Sequence, residues 1–145
     1  MKLNNIRITN YRCFKEADIA FDDHITLIVG KNGAGKTAIL DAVAVAVSTF
    51  LLGIDGGVSR GISKDDARYE FHDLNGTVDP QHQFPVSIDS VGDCLDNQAV
   101  KWVRSLNSEN GNTTVKEARE LTTISKKAQN RICLLYTSPS PRDRG

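Results

Sequence analysis

Cysteine is scarce: Cys13, Cys94 and Cys133 are the three in 145 residues, and no two form a CxxC pair. That excludes a disulfide scaffold and the usual thiolate metal spacings. His24, His72 and His82 have no metal-ligand spacing either. Charge of one sign is also missing. Lys plus Arg and Asp plus Glu number 18 each, and setting aside Arg142, Asp143 and Arg144 leaves 16 basic against 17 acidic. No global field therefore draws the chain to nucleic acid, and any such contact needs a local patch or another subunit. The longest apolar stretch, Ala38 to Leu52, is interrupted by Asp41 and reads as too short to span a bilayer, so a helix buried on most sides is expected and no membrane partner. The first twelve residues, MKLNNIRITNYR, lack the apolar core of a secretion signal, which leads to the expectation of a cytoplasmic setting with reduced thiols. Internal repeats are absent.

What stands out against this background is GKNGAGKT, Gly30 to Thr37, two glycines five apart followed by Lys and Thr. Before it, His24 to Val29 is a short β-branched apolar run with the look of a strand buried on both faces, and after it comes a helical pattern. Strand, glycine loop and helix is the order of a phosphate-binding loop. The backbone N–H groups of Asn32 to Thr37 would converge on a polyphosphate at the positive end of the helix. Gly30, Gly33 and Gly35 permit backbone angles and close approach that a Cβ would block, whereas Ala34 sits where a methyl is tolerated. Lys36 is expected to reach the β and γ phosphates as a point charge, and the Thr37 hydroxyl to hold Mg²⁺. ATP and Mg²⁺ are the ligands this implies.

The flanking pattern places these residues. Leu3 to Thr9 and Glu16 to Phe21 alternate as half-exposed strands, with Asp22-Asp23 as a turn, because neighbouring strand residues face opposite ways and make a poor acid-base pair. The helix from Gly35 ends at Gly53 and Gly56-Gly57. From there to about Gly76 the polar sequence reads as a long excursion with one short helical turn near Lys64-Asp65-Asp66. Phe84 to Val91 and Ala99 to Leu106 are expected to form an antiparallel pair, and Thr114 to Gln129 a helix capped by Asn112-Thr113. Trp102 reads as core, and Lys101 with Arg104 as a solvated or basic edge.

With the motifs in place, IRITNYRCF (Ile6 to Phe14) and LIVGKNGAGKTAILDAV (Leu27 to Val43) resemble the N-terminal ATP-binding lobe of ABC-type heads in the SMC, RecF and related AAA-annotated families. The fold implied is α/β: a partial P-loop NTPase with an antiparallel β subsheet packed by the P-loop helix. The resemblance implies that Arg12 reaches back to the nucleotide phosphates, a task suited to its forked donors. Solvation, or pairing with Glu16, is the plainer alternative. Tyr11 is assigned to packing rather than to stacking on adenine. The pieces QFPVSI (Gln83 to Ile88), WVRSLN (Trp102 to Asn107) and GNTT (Gly111 to Thr114) resemble bacterial ATPases found with Septu and retron anti-phage systems.

The departures from the family pattern matter equally. The chain carries no apolar run ending in Asp-Glu, no LSGG-like signature and no convincing glutamine loop, Gln98 and Gln129 being poor candidates. The resemblance places those parts in a C-terminal half and in an opposing head, so residues 1–132 are expected to be a truncated lobe whose full-length parent hydrolyses ATP as a homodimer of heads, with a nuclease or DNA as further partner. No catalytic residue is assigned within the chain. A P-loop kinase or transferase using Asp65-Asp66 is the alternative, as is an inactive fragment. Cys133 to Asp143, CLLYTSPSPRD, resembles translated sequencing adapter, since its residues read back into the codons of a transposase-library adapter. Residues 133–145 are thus expected to be a non-native tail.

Overall fold

The computed structural model describes residues 1–24, 26, 28, 34–95 and 97–137. Gly30, Asn32 and Gly33 of the expected phosphate loop lie outside the described residues. Four strands form the main sheet: β1 (Lys2–Tyr11), β2 (Phe14–Ala20), β5 (Val86–Cys94) and β6 (Asn97–Leu106), in the order β2-β1-β5-β6 with every pair antiparallel. Alternation decides which side is core. Ile6 and Ile8 of β1, Val86 and Ile88 of β5, and Leu106 of β6 are wholly or almost wholly buried, while Arg7, Glu16 and Lys101 are exposed. At Gly92 a Cβ would stand 2.4 Å from the Lys2 carbonyl oxygen, so only glycine fits where β5 passes β1.

Helix α1 (Ala34–Ser48) lies against the inner face of this sheet, continued by a 3₁₀ segment, Thr49–Gly53. Ala38, Ala42, Val45 and Ala46 recur on one helical face and are fully buried, their small side chains letting the helix sit close to the strands. The expectation of burial on most sides is corrected here: Leu40, Val47 and Leu51 on the other faces are 58%, 41% and 37% exposed. With its extension, Gly35–Gly53 is 19 residues and apolar enough to cross a membrane by length and composition, so length does not exclude a span. Its four buried positions instead seat it on the sheet as a core helix.

A second hydrophobic cluster joins Val100 and Trp102 of β6 and Cys94 of β5 to Ala118, Leu121 and Ile124. The last two belong to α2 (Arg119–Thr137), which is preceded by a 3₁₀ turn, Lys116–Ala118. The helix starts later than expected and runs past Gln129 through residue 137. Thr113 does not cap it. Its hydroxyl accepts from the Ile62 N–H at 2.8 Å and donates to the Ile62 carbonyl at 3.1 Å, tying two loops together.

Two other readings are corrected. The polar excursion contains a hairpin, β3 (Tyr69–Leu74) and β4 (Thr77–His82), turning at Asn75 and Gly76, both with positive φ. Asn-Gly is the pair that a two-residue hairpin turn favours. Conversely, His24, Thr26 and Ile28, the described members of the expected buried strand, lie in no strand, and His24 and Thr26 are exposed. A strand needs a neighbour to complete its hydrogen bonds, and no described strand pairs with them.

Candidate functional site

The site forms where the β1–β2 turn meets the start of α1. Gly35 lies beneath that turn, and a Cβ built on it would be 3.8 Å from Phe14 Cζ and 3.9 Å from Cys13 Sγ. Lys36 and the exposed Thr37 occupy the first turn of the helix, which holds no acidic residue. A helix start without carboxylates keeps the positive end of the macrodipole available to an anion. Ala34 begins the helix. The structure thus gathers Ala34, Gly35, Lys36 and Thr37 at one helix mouth, with Arg12 in the adjoining turn.

Arg12 is built into this place by its backbone. Asn10 and Arg12 both have positive φ, 52° and 51°, a conformation that costs non-glycine residues energy and needs surrounding bonds to hold it. Those bonds come from the 66–68 segment. Arg12 N–H donates to the Asp66 carbonyl at 2.6 Å, Arg68 N–H donates to the Asn10 carbonyl at 2.9 Å, and Tyr11 bridges Ala67. The guanidinium is held as firmly. Its Nε and Nη2 donate to Asp66 Oδ1 at 3.1 and 3.0 Å, and its Nη1 lies 2.5 Å from Asp41 Oδ2. Arg60 Nη1 reaches the other oxygen of Asp41 at 2.8 Å. Two arginines and two aspartates alternate in one chain, and the sequence reading missed it because the four residues are scattered between positions 12 and 66. Pairing with Glu16, the plain alternative, is not what occurs. Glu16 pairs across the sheet with Arg7.

The electrostatics follow the contacts. Burial pushes the Arg12 pKa down, but its hydrogen bond with Asp41, its proximity to Tyr11 and its pairing with Asp66 outweigh this and raise it. Asp41 is held below the usual carboxylate range, by the Arg60 hydrogen bond first and Arg12 next, against an opposing effect of burial. Tyr11 is wholly buried, with its ring 5.3 Å from the Arg12 guanidinium carbon. Burial first, then the charge of Asp66, pushes its hydroxyl up to about 12. The ring is core and unavailable to an adenine.

Other expected residues fall elsewhere. Asp66 is 8% exposed and committed: besides Arg12 it accepts from the Ser63 N–H at 3.0 Å, closing a capping box on the 3₁₀ turn Lys64–Asp66. A substrate site built on Asp65-Asp66 loses its second carboxylate to these bonds. Trp102 is core as expected, its Nε1 donating to the Ala46 carbonyl at 3.0 Å. Arg104 is not solvated. It is 3% exposed, donates to the Thr114 carbonyl at 2.7 Å, and burial lowers its pKa, while Lys101 beside it is exposed. No group of three metal-ligating side chains occurs among the described residues. At the far end of α1 an apolar cavity of about 750 Å³ is lined by Val47, Phe50, Leu51 and Ile132 among others.

An antiparallel subsheet packed by a helix whose first turn carries Gly-Lys-Thr is the α/β architecture of a P-loop NTPase. A family model described as AAA domain matches residues 5–135, and the chain belongs to that family. It is similar to the DNA replication and repair protein RecF of Actinobacillus pleuropneumoniae, 32% identical over 117 residues, which cover 77% of this chain and 29% of that one. RecF of Oceanobacillus iheyensis is 42% identical over 45 residues, covering 31% of this chain and 12% of the relative. The DNA double-strand break repair Rad50 ATPase of Methanosarcina mazei is 48% identical over 42 residues, covering 29% and 4%. The chain thus spans under a third of the length of these relatives. A solved structure from work on ATP-driven dimerization and DNA-stimulated activation of SMC ATPases shares the fold, with a TM-score of 0.53 at 17% identity, covering 99% of this chain and 95% of that one.

Proposed function

We propose that this chain binds the polyphosphate of MgATP at the mouth of α1 and is the N-terminal lobe of an ATPase head. The observation carrying the reading is the union at one point of Lys36 and Thr37 in a carboxylate-free first helical turn with Arg12 in the turn that packs on Gly35. The donors fit the ligand. In this reading Lys36 supplies a point charge to the phosphates, Arg12 a fork, Thr37 a hydroxyl oxygen for Mg²⁺, and the loop from Gly30 through Asn32 and Gly33 its amides. The metal's contribution is to draw charge from the phosphate oxygens.

In the full-length protein we place two such heads face to face across ATP, coupled to DNA or to a nuclease partner. Similarity to RecF and Rad50 proteins supports the DNA-linked setting, and a defence role rests on the sequence resemblance of QFPVSI, WVRSLN and GNTT to anti-phage ATPases alone. Hydrolysis belongs to that assembly rather than to this lobe. The tail from Cys133 to Gly145 is adapter-derived in this reading, and the DNA sequence of the source locus across codon 132 tests it. Titration of MgATP into the chain, followed by calorimetry or NMR, tests the binding. Lys36→Ala is expected to weaken affinity about tenfold or more, as loss of a charge-assisted contact does. Unchanged affinity overturns the assignment.

A further inference from the structure

The two carboxylates on Arg12 are not equivalent. Asp66 is buried, and its second oxygen is fixed by the Ser63 N–H at 3.0 Å and the Ser63 hydroxyl at 3.3 Å, so it is a braced anchor. Asp41 rides on α1, four residues after Thr37 and therefore on the same helical face as that hydroxyl. It also has a second cation, Arg60 at 2.8 Å, which remains with it if Arg12 departs. The guanidinium is divided accordingly: Nε and Nη2 serve Asp66, and Nη1 alone serves Asp41.

We propose that Asp66 is the positioning residue that keeps Arg12 at the phosphate site, and that Asp41 occupies Arg12 in the nucleotide-free state and is displaced from it by the phosphates. This rests on the MgATP reading given above. The exchange leaves no charge stranded. Phosphate replaces the Asp41 carboxylate at Nη1, Asp66 retains the other edge, and Asp41 stays paired with Arg60. It follows that a residue touching the site opposes binding, so that its removal improves affinity, whereas removing its neighbour impairs it. A scaffold role for both aspartates would weaken binding in both cases.

The test is MgATP affinity of the chain and of single variants, each checked for folding by circular dichroism. Asp41→Asn is expected to tighten binding about three- to fivefold, the size of a modest ion pair, and Asp66→Asn to weaken it by a similar factor. Arg60→Ala, at a side chain 43% exposed, leaves Asp41 with Arg12 alone and is expected to weaken binding. In the Arg12→Ala background the Asp41→Asn gain is expected to vanish, which a double-mutant cycle reads directly. Weaker or unchanged binding by Asp41→Asn, with Lys36→Ala still weakening affinity about tenfold or more, overturns the exchange and leaves the phosphate site standing. An inert Lys36→Ala overturns the site itself and the exchange with it.

Discussion

The two ends of helix α1 are held by different physics. Toward the N-terminal end, from the β1–β2 turn to Asp41 at mid-helix, Arg12, Asp41, Arg60 and Asp66 form a chain of ion pairs whose members, Asp66 apart, are partly open to solvent. At the C-terminal end the face turned to the sheet and α2 is held by packing and hydrogen bonds, while Val47 and Leu51 on the outer face stay exposed: Trp102 Nε1 donates to the Ala46 carbonyl, the Thr49 hydroxyl to the Val45 carbonyl at 2.7 Å, and Gly53 is pressed against α2. Charge pairs exchange partners at small cost, since each gains only about 0–1 kcal/mol when exposed, whereas packed apolar contacts do not have a second arrangement nearby. The helix is thus anchored away from the site and left adjustable at it.

The strongest way to break that contrast is at the anchored end. Trp102→Ala removes a side chain that is 1% exposed, spans both β6 and α1, and leaves a large void, so a loss of about 3–5 kcal/mol is expected in a denaturant titration. Next comes Gly53→Ala. Its Cβ would meet Ser125 Oγ at 1.9 Å and the Thr122 carbonyl oxygen at 2.2 Å, so the 3₁₀ segment and α2 have to separate. About 1–3 kcal/mol is expected from overpacking of this kind. Adding Ser125→Ala removes one obstacle but not the backbone oxygen, and so restores only part of the loss.

The same division governed what the sequence made legible. β1, β2, β5 and β6 announced themselves because one face of each is turned to the core, only partly buried in β2, forcing an alternation such as Ile6, Arg7, Ile8 that survives in the sequence. The hairpin β3–β4 has no such record, with Phe71 and Val78 at 70% and 60% exposure, and Pro80 is a residue that strands accept only at edges. Asn75-Gly76 was the one local signal that pointed to it. At the candidate site, the placement of Gly35, Lys36 and Thr37 at the start of a helix was legible through fixed spacing, and Arg12 was singled out by family resemblance. Asp41, Arg60 and Asp66 were not, because ion pairs between distant segments impose no period, and a lone aspartate on a helix looks like any solvated one. Arg104 escaped for the same reason, its partners being the Thr114 backbone and the Thr49 hydroxyl.

At the adjustable end, effects should be smaller and should depend on pH. Asp66→Ala removes acceptors from both Arg12 and the Ser63 N–H, and about 1–2 kcal/mol is expected, the range of a lost cap. Asp41 adds a pH signature. Its folded pKa lies below the ordinary 3.8, so the stabilisation it contributes is complete above that value and is lost as pH falls through the folded one. Acid denaturation of Asp41→Asn should therefore show a shallower fall in stability below about pH 4 than the parent, with little difference between the slopes at neutral pH. Parallel acid limbs would show that the arginines do not hold this carboxylate in the folded state.

The smallest effect is expected from a pair that looks equivalent on paper. Arg7 and Glu16 lie diagonally on β1 and β2, Arg7 opposite Asp18 and Glu16 opposite Thr9, and make an ion pair, as Arg12 and Asp41 do, yet both side chains are more than half exposed and neither backbone is strained. Water solvates each partner nearly as well as the other partner does, so Glu16→Gln should leave the denaturation midpoint and MgATP affinity unchanged within error. Raising ionic strength should likewise leave its stability indistinguishable from the parent's, whereas the Arg12 chain, sheltered by the β1–β2 turn and by Asp66, should respond to Asp41→Asn even at high salt. A change in nucleotide affinity on Glu16→Gln equal to that on Asp41→Asn would mean that any carboxylate near the helix mouth tunes binding through its field. The specific contact with Arg12 would then be unnecessary, and the difference drawn between the ends of α1 would reduce to one of net charge.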